Sequence, residues 1–463
     1  MKNNLCPLDE RYQPQVAPLQ EVMGAQSFSS ARVRTECLWL SVLCDLKLPH
    51  IKPLTAQEKK LLENLSVLSE EDVSVLCALE MTGYQDIPAT RHDVKAVEYF
   101  LKLRLEKTSL KDRLSFLHFA LTSEDINSVS YAILLADGIE KVILPVLEKV
   151  RKELAKLAKK EARSVLLART HGQPAVPTTF GKEIRVFEYR LSRQIAQLKG
   201  QQISCKFSGA VGNFNAHIAA FEKINWPRVA KQFLTQLNKG RKIRLCLSAL
   251  STQIDNRDTY AELFDNLRRT HIILLDFCRD MWQYISAGLV TQKTRAGEVG
   301  SSTMPQKVNP IDFENAEGNL QLSNALFSFF SEKLPLSRLQ RDLSDSTVLR
   351  NMGMALGYGL VAYTSVLKGL SKISFNRRFA REELKKHPEV LAEGIQTILR
   401  AEGFARPYET LRDFTRGKQI TQEVLTDFIN GLAVSASVKK RLLALTVENY
   451  TGLAEKLAEE KYD

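Results

Sequence analysis

Residues 258–287 read DTYAELFDNLRRTHIILLDFCRDMWQYISA, an uninterrupted run in which apolar side chains return every three or four positions. That spacing lays a single stripe along an α-helix. The same period runs from about Asp125 to Lys160, Thr179 to Ile203, Pro310 to Glu332 and Ser346 to Ser371. Five segments of this length predict a bundle, with Pro145 bending the first of them without ending it. Alternating Val, Ile and Thr runs are few, so no large sheet is expected.

Working outward, the first hundred or so residues carry shorter helical patterns broken at Pro49, Pro53 and Pro88, and short helices separated by polar turns return after about Ile373. The reading is an all-α fold of three helical domains: an N-terminal domain over 1–118, a central long-helix bundle over 119–372, and a C-terminal domain over 373–463. The apolar faces of the long helices are too wide for one bundle to cover. Several subunits are therefore expected to share a common helical core.

Composition narrows the class. The 463 residues exceed one compact core. The seven cysteines are scattered without a Cys-x-x-Cys pair, which predicts a reducing cytoplasmic setting and no zinc or redox centre. The opening MKNNLCPLDERYQPQ lacks an apolar signal core, and no apolar run approaches a membrane span, so neither secretion nor insertion is expected. The net charge of +12 suits a nucleic-acid surface or anionic small substrates. Its densest basic stretch, Val150 to Arg163, interleaves Glu153, Glu161, Leu154 and Leu157 at helical spacing, the mark of an amphipathic helix with a solvated face. We therefore expect no nucleic-acid partner.

The chemistry concentrates in Gly300-Ser301-Ser302-Thr303-Met304-Pro305-Gln306-Lys307-Val308-Asn309-Pro310. Gly297 and Gly300 loosen the approach, Pro305 and Pro310 bracket a stiff piece, and hydroxyls, a cation and an amide share one segment. Such a segment, over about 293–310, reads as a lid carrying its own groups for deprotonating a carbon acid. A bland Gly-Ser linker has no need of the Met-Pro-x-Lys-x-Asn continuation.

Four other clusters carry candidate groups. His171 lies in Arg169-Thr170-His171-Gly172-Gln173-Pro174-Ala175, read as an irregular turn just before a helix starting near Thr178 or Thr179. Arg91-His92-Asp93 opens a helix that Asp93 is placed to cap. Thr122-Ser123-Glu124-Asp125-Ile126-Asn127 offers hydroxyls and free amides at a helix start, suited to a carboxylate, or to plain N-capping. The run from Arg338 to Arg350 gathers Arg338, Arg341, Arg350, Ser344, Ser346 and Thr347, and forked arginines with hydroxyls suit a phosphate. A helix start capped by Ser346 or Asp345, with surface ion pairs, is the plainer account of that run.

Ser301, Ser302, Met304, Pro305, Lys307 and Asn309 match the signature of the fumarase and aspartase superfamily, and Thr170-His171 with Gln173-Pro174-Ala175 matches its second motif. Together with Asp9-Glu10-Arg11-Tyr12 and the stretches Arg91 to Phe100, Thr122 to Ser128, Ala168 to Glu183 and Gly297 to Leu320, the whole chain resembles the bacterial branch of the adenylosuccinate lyase family. The resemblance implies release of fumarate from a succinylated purine nucleotide or its ribotide precursor. It implies Ser301 as general base and His171 as general acid. Lys307, Asn309, Thr122 and Ser123 would hold the succinyl group, and Arg11, Tyr12, Ser346 and Arg350 the phosphate. Arg91, His92, Asp93, Gln253, Ser302, Asn315, Arg341 and Thr347 would complete the pocket, with His118 a weaker candidate beside Thr122.

No cofactor and no metal are expected, and the resemblance implies a homotetramer whose sites are shared between subunits. Gln306 departs from the His that relatives often carry, which affects lid contacts more than proton transfer. The alternatives are a sister lyase, such as one acting on argininosuccinate, or a non-enzymatic structural protein on the same scaffold.

Overall fold

The computed structural model describes residues 4–293, 304, 306–417 and 420–460. Along the chain run α1 (Gln13–Met23), α2 (Ala25–Asp45), α3 (Ala56–Leu65), α4 (Glu70–Met81), α5 (Asp93–Leu105), α6 (Ser123–Asp137) and α7 (Leu144–Lys160). A hairpin of β1 (Val165–Thr170) and β2 (Gln173–Thr179) leads into α8 (Phe180–Lys199). Then come β3 (Gln202–Cys205), α9 (Asn215–Ala220), α10 (Trp226–Leu237), β4 (Arg244–Leu247), α11 (Asp258–Ser286), β5 (Val290–Gln292), α12 (Ile311–Lys333), α13 (Ser344–Leu349), α14 (Met352–Lys372), β6 (Ile373–Phe375) and α15 (Arg377–Lys385). Short helices fill the remainder to Glu459. The all-α reading holds, and strands pair only as two-stranded sheets among the described residues.

Three of the long segments differ in detail from the sequence pattern. The first is α6 joined to α7 through a π-helical stretch, Gly138–Ile143, just before Pro145. There Gly138 leaves room for Met23, whose Sδ a Cβ would meet at 2.5 Å. The second stops at Lys199, and Ile203 instead lies in β3, paired in parallel with Leu245 of β4. The third breaks at Arg350 and Asn351 into α13 and α14. In the N-terminal region α2, at 21 residues, is longer than the short helices expected there.

The chain divides into two compact units: residues 1–147, 194–271 and 319–362 form the first, and 148–193, 272–318 and 363–463 the second. In the first unit α6 is buried nearly all round, from Ile126 to Ala136, as befits a central helix. Beside it, Phe207 and Phe233 stack with centroids 4.2 Å apart and Trp39 meets Phe207 edge-on at 5.0 Å. Each such buried ring contributes roughly 2–3 kcal/mol through area removed from water. The second unit has its own core, in which Leu384, Leu391, Ile395, Leu399, Leu425 and Leu442 cluster with Leu167 of the hairpin. Here α7 and α8 approach so closely that a Cβ on Gly181 would lie 2.3 Å from the Ala158 carbonyl oxygen.

Candidate active site

The start of α6 is held by a buried carboxylate. Asp125 accepts the Thr122 amide at 2.8 Å, closing the N-terminal turn, and its other oxygen takes the Ser208 amide at 2.8 Å and the Lys206 ammonium at 2.7 Å. Asp125 and Lys206 are both fully buried, so the pair is costly to break and fixes Thr122 and Ser123 relative to the 206–209 loop. Capping, the plainer reading of Thr122-Ser123-Glu124-Asp125, is therefore correct for Asp125. It leaves the Ser123 hydroxyl free to face another group.

That group is His92. Its Nε2 lies 3.1 Å from Ser123 Oγ. Its Nδ1 accepts the Lys95 amide at 3.2 Å, making His92, rather than Asp93, the cap of α5. With Nδ1 engaged as an acceptor, the neutral ring carries its proton on Nε2 and donates it to the serine. Asp93 instead accepts the Val94 amide, is ion-paired with Arg32 and faces Arg350 Nη2 at 3.6 Å. Burial pushes its pKa up, but Arg32, the Val94 amide and His92 together more than offset this and hold the carboxyl below the usual range. Arg91, exposed, precedes this cap in a left-handed conformation with φ 52°.

His118 also sits in the left-handed region, φ 55°, in the loop that leads to Thr122. Its Nδ1 is 2.6 Å from Glu36 Oε1 and its amide donates to Glu36 Oε2 at 3.1 Å. Burial lowers the imidazole pKa, but the Glu36 hydrogen bond and charge prevail and raise it.

In the arginine-rich run, Arg341 donates to Gln253 Oε1 at 3.2 Å and faces Glu124 Oε2 at 3.2 Å. Gln253 is itself pinned by its amide to the Gln340 carbonyl at 3.2 Å. Neither Ser346 nor Asp345 caps α13: Ser346 donates to the Leu343 carbonyl, and Asp342 accepts the Ser344 amide at 2.8 Å. The hydroxyl of Ser344 also donates to Asp342, whose pKa these bonds hold down to about 2. Thr347 on this short helix and Arg350 at its C-terminal cap are exposed. At the start of α1, Arg11 is exposed and Tyr12 packs against Leu8, Val16 and Val361.

Direct contacts therefore bring His92 to Ser123, Asp93 to Arg350, and Arg341 to Gln253, all within the first unit. His171, Lys307, Asn309 and Asn315 belong to the second unit. His171 is not in an irregular turn. It is the first residue of the two-residue turn that joins β1 to β2, with Thr170 opposite Gln173, φ 53° at His171 and φ 76° at Gly172. Positive φ at both positions is the type I′ pattern, which matches the twist of a hairpin. The imidazole is thus exposed at a tip, and Arg169 steadies the turn by pairing with Glu383 of α15. Lys307 is exposed, with its amide on the Met304 carbonyl at 3.0 Å, and Asn315 Oδ1 accepts from Ser365 at 2.8 Å. Ser301 and Ser302, with most of the expected lid, lie outside the described residues.

Sequence reasoning missed Arg32, Glu36, Lys206, Arg257 and Glu383. A signal existed for two of them: Arg32 and Glu36 interrupt an otherwise apolar face of α2 between Ala31 and Leu40, and both are buried. No helix among the described residues is long and apolar enough to cross a membrane.

Comparison with known proteins shows the family. Residues 79–322 match the family described as Lyase, and residues 337–451 the one described as Adenylosuccinate lyase C-terminal. The chain is 44% identical over 459 residues to the adenylosuccinate lyase of Haemophilus influenzae, covering 98% of each protein. It is 45% identical over 459 residues to that of Escherichia coli, again covering 98% of each. Among solved structures, a fumarate lyase from a Mesorhizobium species superposes with a TM-score of 0.69 at 18% identity, covering 95% of this chain and 96% of that one. The 3-carboxy-cis,cis-muconate lactonizing enzyme of Pseudomonas putida gives 0.71 at 20% identity, covering 95% of each. These two establish the fold.

Proposed function

This chain belongs to the adenylosuccinate lyase family, and from that membership we propose how its residues divide the work of releasing fumarate from adenylosuccinate, leaving AMP, and from the succinylated aminoimidazole carboxamide ribotide. The enzyme is a carbon–nitrogen lyase. The observation that best supports this division is the first unit's own geometry. A hydroxyl pair suited to a dicarboxylate opens α6, and Arg341 and Arg350, suited to a phosphate, are paired with carboxylates of the same unit.

In the proposed chemistry Ser301, as the alkoxide, takes a proton from the carbon beside a succinyl carboxylate. The electron pair forms the double bond of fumarate as the carbon–nitrogen bond breaks, and His171 delivers a proton to the departing nitrogen. Charge collects on the carboxylate oxygens before the bond breaks, where Lys307 and Asn309 would stabilise it. An exposed imidazole at a hairpin tip suits an acid that must reach a bound substrate. Thr122 and Ser123 would hold the succinyl group, with His92 orienting the serine. Arg11, Tyr12, Ser346 and Arg350 would take the phosphate, and Arg91, Asp93, His118, Gln253, Ser302, Asn315, Arg341 and Thr347 would line the pocket.

A lid over about 293–310, a division into three domains, a cytoplasmic location and a homotetramer with shared sites belong to the same proposal. The exposed Leu322 and Phe329, two turns apart on α12, support the last. The deciding experiment follows the absorbance change as the purified protein is given adenylosuccinate, argininosuccinate, aspartate or malate. Selective cleavage of adenylosuccinate is expected, and activity on another of these, or on none, overturns the reading.

A further inference from the structure

Behind the arginine-rich run lies a group of buried charges that the proposed chemistry does not use. Arg257 has no solvent exposure, and none of its three guanidinium nitrogens has a hydrogen-bond partner among the described residues. Its closest carboxylate is Glu124, whose Oε1 is 3.6 Å from Nη2. Asp345 is also buried, and neither of its carboxylate oxygens receives a hydrogen bond among the described residues. Arg257 lies 4.9 Å from the centroid of the Tyr260 ring and feels the charge of Asp255 and, more weakly, of Glu124 and Asp345.

Each of these residues adjoins one already discussed. Glu124 follows Ser123 on α6, Asp345 precedes Ser346 on α13, and Arg257 precedes the first residue of α11. Glu124 also holds Arg341 at 3.2 Å, so one buried carboxylate lies between an inner arginine and an outer one that is partly exposed.

The spacing decides what this arrangement can do. A buried ionic group without hydrogen bonds is costly, and hydrophobic replacements would serve mere packing at least as well. The separation of 3.6 Å between Arg257 and Glu124 is too long for a hydrogen bond but closes with a shift of under an ångström. If Arg341 turns outward to a phosphate, it leaves Glu124 without its partner. Arg257 is already in place to take that carboxylate over.

Resting on the adenylosuccinate reading, we propose that Arg257 is a positioning residue for the phosphate end of the substrate. It receives Glu124 when Arg341 is released, and so makes phosphate capture possible without stranding a buried carboxylate. Without it, Glu124 keeps Arg341 to itself, and a phosphorylated ligand loses the advantage that its phosphate confers.

The test compares ligands that differ only in the phosphate. AMP and adenosine binding would be measured by calorimetry on the full-length protein, with kcat/KM for adenylosuccinate and for its dephosphorylated nucleoside. Arg257→Met is expected to lower the preference for the phosphorylated member of each pair at least ten-fold while changing nucleoside turnover little. Adding Glu124→Gln to it should restore most of that preference, since Arg341 then has no carboxylate to leave. Should Arg257→Met fail to fold, Arg257→Lys keeps a cation without the fork and should lower the same ratio several-fold. An unchanged ratio, an equal loss on both ligands, or a double variant worse than the single overturns the inference. A wild-type protein that neither cleaves adenylosuccinate nor prefers AMP to adenosine overturns the functional reading beneath it.

Discussion

Glu36 grips His118 twice, through the ring at 2.6 Å and through the backbone amide at 3.1 Å, and Glu36 itself has no side-chain exposure. This raises the folded-state pKa of His118 above that of the unfolded chain, so the pair stabilises the fold fully below about pH 6.5 and loses that contribution as pH rises through the raised value. In Glu36→Gln, the His118 resonance followed by NMR should titrate lower than in the wild type, because burial then acts with little opposition. Unfolding in denaturant near pH 6 should cost roughly 1.5–3 kcal/mol less, the worth of a hydrogen bond to a charged group. An unmoved titration would show that the pair carries no charge.

Replacing either proposed proton-transfer group should abolish chemistry while sparing binding. Ser301→Ala and His171→Ala are each expected to lose roughly 10² to 10⁴ in turnover. Mixing the two inactive proteins should regain activity if each pocket draws on more than one subunit. Near-normal turnover in Ser301→Ala rejects that assignment, and a silent mixture counts against shared sites.

With His171 as the proposed acid, Arg169 would bear on the reaction through geometry alone. Its guanidinium ties the hairpin to Glu383 and donates to the Gly172 carbonyl at 3.4 Å, at the tip that carries His171. Arg169→Ala should lower kcat by roughly 10-fold or more with KM little changed, because a catalytic group that wanders by an ångström loses much of its effect. A rise in KM at constant kcat would assign Arg169 to substrate binding instead.

Acid should weaken the fold through His217. Its ring is buried among Trp39, Trp226 and Phe214, with neither nitrogen hydrogen-bonded among the described residues. Burial pushes its pKa down to about 4, against the partial pull of Asp125. The unfolded chain therefore binds the proton first, and stability declines as pH falls from 6.5 towards 4. In His217→Phe the dependence of unfolding free energy on pH across that window should be shallower by roughly 1.4 kcal/mol per pH unit. Parallel curves for the two proteins would mean the imidazole is protonated in the native state.

Gly181 tests how tightly the second unit is packed. A methyl group there would meet the Ala158 carbonyl oxygen at 2.3 Å and the Ala162 backbone at 2.6 Å, and neither can yield without moving a helix. Gly181→Ala should destabilise by roughly 1–3 kcal/mol, as overpacking does, despite alanine's better helix propensity. A melting temperature at or above that of the wild type would disprove the close approach.

How far the sequence could be read depended on the range of the interactions. The helix from Asp258 was placed to within a residue of its end at Ser286, because a long stripe with one period admits little else. The His171 hairpin was overlooked because its strands are short and interrupted by Pro174 and Pro177, and because the usual asparagine or aspartate before the turn glycine is replaced by histidine. The joint at Arg350 and Asn351 lies inside an apolar pattern that continues on both sides of it. Candidate residues lying near one another in sequence, such as His92 with Asp93 or Thr122 with Ser123, were legible as clusters. Glu36 stood out only as a break in the apolar face of α2, and its partner was not legible, since His118 is 82 residues away.

The hairpin that presents His171 is closed by two residues, and this restricts what drift can do to it. Side chains at the tip can be exchanged one at a time, but an insertion or deletion there would slip one strand against the other and turn every following side chain to the opposite face. Leu167, which the second unit's core needs, would lose its pairing with Pro177. Descendants of this protein can thus vary the spelling of that corner while its length stays frozen.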